Sequence, residues 1–226
     1  RSGFARDLDA GEIVEEVLLA EKARGEKPTH VVFMGIGEPF DNYDNVLKAI
    51  RIINDQDGLA IGARRITIST CGIVPGIQRL AGEKLQVELS VSLHAADDRT
   101  RSGLMPVNKR YAIGPLIEAC REYVVSTGRI ITFEYALIRG VNDSASQAQA
   151  LAALLRPMQC RANLIPLSEV EEYSARASAP ETAKMFINTL AKAGVNATLR
   201  NSQGGELKAA CGQLRAGKEK TIDHRL

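Results

Sequence analysis

The chain has 226 residues, of which 45% are hydrophobic and 25% charged, and its formal net charge is +2 at pH 7. These values are typical of globular domains and exclude a collagen-like, coiled-coil or largely disordered chain. The length is sufficient for one domain with a substantial core, and we find neither a membrane-spanning apolar stretch nor a signal peptide, so we expect a cytoplasmic protein.

Strand-like and helix-like segments alternate along the chain. Asp9 is placed to cap the first helix, which should end near Gly25. The apolar positions of this helix follow helical spacing and are Ile13, Val14, Val17, Leu18 and Ala20. Short apolar or β-branched runs predict strands at His30–Met34, Arg65–Ser69, Val87–Leu93, Ile130–Leu137, Ala162–Ile165 and Asn196–Leu199. Further helices are predicted at Asn45–Asn54, Ile73–Leu80, Ile113–Val125, Ser144–Leu155 and Pro180–Ala193.

This alternation indicates an α/β protein with a buried parallel sheet. We favour a TIM-like (β/α) barrel, whole or partial, over an open doubly wound sheet. Residues 1–226 are expected to form one domain, because the chain has no internal repeat, low-complexity segment or long linker. The longest stretches without predicted structure are Ala96–Tyr111 and Leu167–Ala179.

Ligands of parallel α/β proteins bind at the carboxyl ends of the strands. Five polar or glycine-rich segments are predicted at these ends: Gly35–Pro39, Ser69–Gly72, Ser92–Ala95, Glu134 and Asn163–Pro166. We therefore expect them to line one rim of the sheet.

The segment Gly35-Ile36-Gly37-Glu38-Pro39 is not a dinucleotide-binding fingerprint, because Pro39 stands where a helix and a third glycine are required. Its glycines would let the backbone approach a ligand closely, and the Glu38 carboxylate would accept hydrogen bonds from an ammonium group. The alternative is an ordinary strand-to-helix turn with a solvated Glu38. For His94 the alternative to a functional role is a packed or surface histidine.

The four cysteines are scattered, without a C-x-x-C pair or the spacing of a metal site, and are expected to be free thiols. Cys120 is predicted to lie in the core, and Cys71 and Cys160 to be structural. Cys211 has small neighbours, in Ala209-Ala210-Cys211-Gly212, that would leave its thiol accessible to a bulky partner. It is therefore either a nucleophile or an inert thiol.

Clustered basic residues are candidates for contacts with nucleic-acid phosphates, and the alternative for each cluster is solvated surface. The clusters are Arg64–Arg65, Arg99–Arg101, Lys109–Arg110 and a tail with Arg215, Lys218, Lys220 and Arg225. Aromatic residues make up only 4% of the chain, with no tryptophan, so we do not expect stacking of bases on surface aromatics.

Taken in order, these motifs resemble the RlmN/Cfr-type radical S-adenosylmethionine methyltransferases along nearly the whole chain. The matching segments are Gly3–Leu8, Gly11–Val14, Met34–Pro39, Arg65–Thr70, Ser92–Ala95, Pro106–Lys109, Glu134–Tyr135, Gly140–Asp143, Asn163–Pro166 and Ala209–Leu214. The resemblance implies a partial β/α barrel that methylates a ring carbon of an adenine, most often carbon 2, in 23S rRNA and, in the RlmN branch, also in tRNA.

The resemblance also implies the roles of individual residues. Gly37 and Glu38 would hold the amino group of S-adenosylmethionine, and Cys211 would be the thiol that first accepts a methyl group and then delivers a methylene to RNA. The remaining polar atoms of the cofactor would be held by Ser69, Ser92, Leu93, His94 and Asn163. A further implication is an electron donor such as flavodoxin. Apart from the resemblance, we expect no membrane association, and nothing in the sequence requires more than a monomer.

The family binds a [4Fe–4S] cluster through three thiolates in C-x-x-x-C-x-x-C, which should end a few residues before Gly3. Arg1 begins after this motif, and the cysteines present cannot replace it by their spacing. We expect the first barrel strand, the cluster loop, an upstream resolving cysteine and the accessory RNA-binding domain to be missing as well, so that this chain alone does not turn over.

Two other functions remain open. One is a non-catalytic remnant that binds S-adenosylmethionine or RNA after loss of the cluster. The other is a radical enzyme of the same barrel with another substrate, which the Ala210-Cys211-Gly212-Gln213 segment disfavours.

Overall fold

The computed structural model describes residues 4–166 and 176–200. Helices and strands alternate through this part of the chain, as the sequence predicts. The strands are β1 (Val31–Phe33), β2 (Ile66–Thr70), β3 (Glu88–Ser92), β4 (Ile131–Leu137), β5 (Cys160–Pro166) and β6 (Asn196–Leu199). The α-helices are α1 (Ala10–Arg24), α2 (Tyr43–Asn54), α3 (Val74–Gly82), α4 (Asp98–Leu104), α5 (Ile113–Thr127), α6 (Ala145–Leu155) and α7 (Pro180–Lys192).

The strands form one sheet in the order β1-β2-β3-β4-β5-β6, with parallel pairing between all neighbours. Within the described ranges β1 and β6 do not pair with each other, so the sheet is not closed. The prediction of an α/β fold built as a partial TIM-like barrel is confirmed. Each predicted strand is present, with bounds that differ from the prediction by at most two residues.

The two faces of the sheet differ in chemistry. On one face the rows of paired residues are apolar, as in Ile68–Leu89–Ile131, and they pack in the core. On the other face the rows are polar, as in Ser69–Ser90–Thr132 and Ser92–Glu134–Asn163. Because side chains alternate along a strand, the same strands supply both the apolar core and a polar face, on which Ser69, Ser90 and Glu134 are themselves buried.

The helices cover the apolar face, and α1 packs on α2, α3 on α5 and α6 on α7. Helix α1 has the expected Asp9 cap, in a capping box with Glu12, and ends at Gly25 with φ of 68°. Its predicted apolar stripe is wrong at two positions: Leu18 is 47% exposed and Ala20 is exposed, while Ile13 is buried. No helix in the described part of the chain is long and apolar enough to cross a membrane.

The prediction of an irregular stretch at Ala96–Tyr111 is wrong. It contains α4 and a 3-10 helix at Pro106–Lys109. The Asp97 carboxylate accepts hydrogen bonds from the backbone N–H and hydroxyl of Thr100, each at 2.8 Å, and so caps α4. Of the second stretch, Leu167–Ala179, residues 167–175 lie outside the described residues, and Ala177 forms an antiparallel bridge with Ile138.

Candidate binding site at the carboxyl ends of the strands

The structure brings the predicted site residues of the described part to one rim of the sheet. Those of the first three strands lie at or just beyond the carboxyl ends, and Asn163 is level with Ser92 in the sheet register. Gly37 and Glu38 follow β1, Ser69 lies near the end of β2, Ser92 ends β3 and Leu93–His94 follow it, and Asn163 lies in β5. Cys211 lies outside the described residues. Whether these residues bind a ligand remains a prediction, but their placement together follows from the parallel topology.

The side chain of Glu38 connects the loops after β1 and β2. One carboxylate oxygen accepts a hydrogen bond from the Phe40 backbone N–H at 3.1 Å, and the other accepts from the Cys71 N–H at 2.7 Å. Gly37 has φ of 101°, which side chains rarely adopt, so this turn requires glycine. Glu38 is therefore held in place by the backbone, and its remaining lone pairs are available to an ammonium group.

The segment Ser92–His94 is held by the neighbouring strand β4. The Glu134 carbonyl accepts hydrogen bonds from the N–H groups of Leu93, at 3.0 Å, and His94, at 3.2 Å. His94 has φ of 55°, an uncommon conformation for a bulky residue. Its carbonyl accepts a hydrogen bond from the Asn142 side chain at 2.7 Å. Strained backbone fixed from several sides is a frequent feature of binding sites.

The His94 side chain continues the hydrogen bonding to β4 beyond the carboxyl end of β3. Its Nδ1 accepts a hydrogen bond from the Ala136 N–H at 3.1 Å, two residues beyond the last β3–β4 pair, Ser92–Glu134. Nδ1 can accept only if it is unprotonated, so the proton is on Nε2. Burial, with the nearby Arg101 charge, lowers the pKa of His94 to about 4, and the imidazole is therefore neutral near pH 7.

Acidification below about pH 6.5 is expected to destabilise the protein through His94. An unfolded histidine takes up a proton near pH 6.5, whereas folded His94 does so only near pH 4, so the free energy of unfolding falls as the pH drops between these values. The loss attributable to His94 is roughly 2 to 3 kcal/mol. Urea unfolding at a series of pH values measures it.

The matched variants are His94→Asn, which keeps a hydrogen-bond acceptor and tolerates positive φ, and His30→Asn at an exposed histidine. H94N should flatten the dependence on pH, and H30N is the control for the same substitution at an exposed position. An unchanged slope in H94N would contradict the assignment of His94 as a partly buried, neutral imidazole.

Glu134 and Asn163 form a polar pair next to Ser92. Glu134 is 5% exposed, and one of its carboxylate oxygens accepts a hydrogen bond from Asn163 Nδ2 at 3.0 Å. Burial raises the pKa of Glu134, although the Asn163 hydrogen bond and the Arg200 charge oppose the shift. In the sheet register Glu134 lies between Ser92 and Asn163, which are two of the predicted site residues.

The prediction for Arg101, as a phosphate contact or a solvated surface residue, is wrong. Its side chain is fully buried and cannot meet a phosphate. The guanidinium donates to the carbonyls of Ser92, Leu93, Cys71 and Tyr111 and to Asn108 Oδ1, at 2.7 to 3.3 Å. It therefore joins the ends of β2 and β3, which carry the rim residues.

The other basic clusters differ in their position relative to the rim. Arg64–Arg65 precede β2 and so lie at the amino end of the sheet, away from the rim. Lys109 and Arg110 lie next to Tyr111, whose carbonyl binds Arg101, and therefore on the rim side. The tail cluster lies outside the described residues.

The cysteines of the described part are free thiols, as predicted. Cys120 is buried in the core, which confirms its prediction. Burial raises the pKa of Cys120 to about 12, that of Cys160 to about 11 and that of Cys71, next to the Glu38 carboxylate, to about 12. All three are thus protonated at neutral pH and poor nucleophiles.

The profile of the Radical SAM superfamily matches residues 1–149, and the chain belongs to this superfamily. Its members use S-adenosylmethionine with a [4Fe–4S] cluster, so these two expected cofactors are confirmed for the family.

Among curated proteins, the chain is similar to probable dual-specificity RNA methyltransferases RlmN. It is 48% identical over 213 residues to the one from Clostridium perfringens (strain SM101 / Type A), covering 94% of this chain and 61% of that protein. It is 50% identical over 214 residues to the one from Desulforamulus reducens, covering 95% and 61%. The chain thus spans about three-fifths of the length of these relatives.

Among solved structures, the fold matches a radical SAM methyltransferase from Sphaerobacter thermophilus with a TM-score of 0.90 and 50% identity, covering 93% of this chain and 63% of that one. The resemblance to RlmN-type methyltransferases that the sequence motifs indicated is confirmed.

The polar groups of the described residues suit S-adenosylmethionine but not the [4Fe–4S] cluster. The rim offers carboxylate, hydroxyl and amide groups that suit the amine, carboxylate and hydroxyls of S-adenosylmethionine. No group of three or more His, Cys, Asp or Glu residues within the described ranges is arranged to hold a metal. We therefore assign no cluster ligand to these residues.

Proposed function

We propose that the chain is the core of a radical S-adenosylmethionine RNA methyltransferase, forming one domain over residues 1–226. Its substrate would be an adenine of 23S rRNA, methylated at carbon 2, and also an adenine of tRNA. The observation that carries this proposal is the identity of about half of all positions to RlmN methyltransferases over 94–95% of the chain.

The site geometry supports the cofactor part of the proposal. Glu38 and the backbone at Gly37 would bind the methionyl amino group, since Glu38 is fixed by two backbone hydrogen bonds and still has free lone pairs. Ser69, the Ser92–His94 segment and Asn163 would bind the other polar atoms. S-adenosylmethionine would supply the methyl group and the radical.

A separate thiol is needed because carbon 2 of adenine is electron-poor and does not attack a sulfonium methyl group. Cys211 would accept the methyl group by displacing it from the sulfonium of S-adenosylmethionine, since a thiolate is a strong nucleophile. It would deliver this carbon to the electron-poor ring as a methylene, after a deoxyadenosyl radical has removed one hydrogen atom from the S-methyl group. The high pKa values of Cys71, Cys120 and Cys160 argue against these thiols in that role. We further propose that the protein acts in the cytoplasm as a monomer, with an electron donor such as flavodoxin.

The test is methylation of 23S rRNA and tRNA by the longest polypeptide that the gene encodes, including any segment before Arg1. With its cluster reconstituted anaerobically, the protein should form 2-methyladenine, detected by mass spectrometry of digested RNA. Cys211→Ala should abolish the product, and Cys160→Ala, at the amino end of β5, should retain it. A product formed by C211A would contradict the proposed methyl carrier.

A further inference from the structure

Glu134 lies at the centre of the rim but has no role in the proposed function so far. In the sheet register it pairs with Ser92 on one side and with Asn163 on the other. Its backbone carbonyl holds the N–H groups of Leu93 and His94, and its side chain accepts a hydrogen bond from Asn163. Glu134 thus connects Leu93 and His94, which follow β3, with the side-chain amide of Asn163 in β5.

The side-chain contact determines which way the Asn163 amide faces. A carboxylate oxygen accepts hydrogen bonds, so the Asn163 atom 3.0 Å away from it must be the Nδ2 donor. The amide oxygen is then the other end of the side chain, where Oδ1 accepts a long hydrogen bond from the Thr198 hydroxyl at 3.4 Å and keeps its second lone pair for another donor. Without Glu134, either end of the amide could face a ligand, because the two orientations occupy nearly the same space.

We propose that Glu134 is a positioning residue, which occupies Nδ2 of Asn163 and so leaves Oδ1 to accept a hydrogen bond from an N–H or O–H group of the bound S-adenosylmethionine. This inference rests on the proposed function for the identity of the ligand, and on the structure for the orientation of the amide. The burial of Glu134 favours the role, because a hydrogen bond shielded from water holds its geometry more firmly.

Substitutions at position 134 separate the backbone contact of this residue from its side-chain contact. The backbone carbonyl that binds Leu93 and His94 is kept in every variant, so only the contact with Asn163 changes. Glu134→Gln retains a carbonyl oxygen that can accept from Nδ2 and removes the charge. Glu134→Leu has a similar size and removes the acceptor.

The experiment is equilibrium dialysis of the full-length protein with labelled S-adenosylmethionine, in a double-mutant cycle with Asn163→Ala. We expect E134Q to bind within threefold of the wild type, and E134L and N163A each to bind about tenfold more weakly. The double variant E134L/N163A should also bind about tenfold more weakly, because Glu134 acts through Asn163. Thermal unfolding of each variant checks that it is folded.

Three results would overturn the inference. If the double variant binds about a hundredfold more weakly, Glu134 acts independently of Asn163. If E134Q loses as much affinity as E134L, the charge itself is required. If the wild type does not bind S-adenosylmethionine, the proposed function fails together with the assigned ligand.

A measurement without ligand tests the orientation of the amide separately. In a ¹H–¹⁵N spectrum, the side-chain amide signal of Asn163, assigned by its absence in N163A, should be alike in the wild type and E134Q and shift in E134L. A signal unaffected by E134L would overturn the positioning role even if S-adenosylmethionine binds.

Discussion

Replacing Arg101 with leucine is expected to lower the free energy of unfolding by about 4 kcal/mol or more, enough to unfold many domains. The guanidinium has no solvent exposure, and it donates to four backbone carbonyls and to Asn108 Oδ1. Leucine would leave these five acceptors, which are buried or partly buried, without their donor. Since the carbonyls belong to the loops that carry the rim, affinity for S-adenosylmethionine should fall as well.

Urea unfolding followed by circular dichroism measures the effect, with two matched variants. Arg101→Lys keeps a charge that can donate to some of the five acceptors, and should lose about half as much stability. Arg99→Leu, at an exposed arginine of the same helix, should change stability by no more than about 0.5 kcal/mol. Equal losses in R101L and R99L would show that the buried hydrogen bonds of Arg101 contribute little.

Replacing Asn142 with aspartate is expected to cost about 3 kcal/mol. The Asn142 side chain is fully buried, and its Nδ2 donates to the carbonyls of His94 and Ala136, each at 2.7 Å. Its Oδ1 accepts from the Ile138 N–H at 2.8 Å. Aspartate has the same shape but no donor, so a carboxylate would face two carbonyl oxygens, and the loop at His94 would lose its anchor.

We expect N142D to have a lower midpoint of urea unfolding at pH 7 than the wild type. In the absence of urea it should bind S-adenosylmethionine more weakly. The control is Asn196→Asp, the same substitution at an exposed position of β6, which should have an effect of a few tenths of a kcal/mol. If N142D unfolds at the same urea concentration as N196D, then Asn142 does not hold His94 in the way the distances indicate.

The sheet and the rim could be predicted from the sequence because both follow from local patterns. Runs such as Ile66–Thr70 are β-branched and short, and parallel strands joined by helices place their carboxyl ends on one side. Glu38, Ser69 and Asn163 could therefore be expected near each other. The alternatives for Glu38, a ligand contact or a solvated turn residue, did not include what the structure shows, which is a carboxylate that binds two backbone N–H groups.

Arg101 and His94 could not be assigned in this way, because their partners are distant in sequence. Arg101 follows Arg99 by two residues, a pattern that suggests a solvated basic cluster. Only the tertiary structure places Cys71 and Tyr111 around the Arg101 side chain. A signal for α4 was present in Asp97 followed by Thr100, which is a capping pattern. For His94 no local pattern indicates positive φ, since the strain is offset by Ala136 and Asn142.

Because side chains alternate along each strand, the residues that stabilise the core and the residues of the polar face occupy alternate positions of the same short segments. In β4, for example, Phe133 and Tyr135 fill the core, while Thr132 and Glu134, which alternate with them, belong to the polar face. Redesign of the proposed S-adenosylmethionine site can therefore proceed at every second residue without repacking the interior. Libraries restricted to these positions should yield a larger share of folded variants than libraries of equal size spread over consecutive residues.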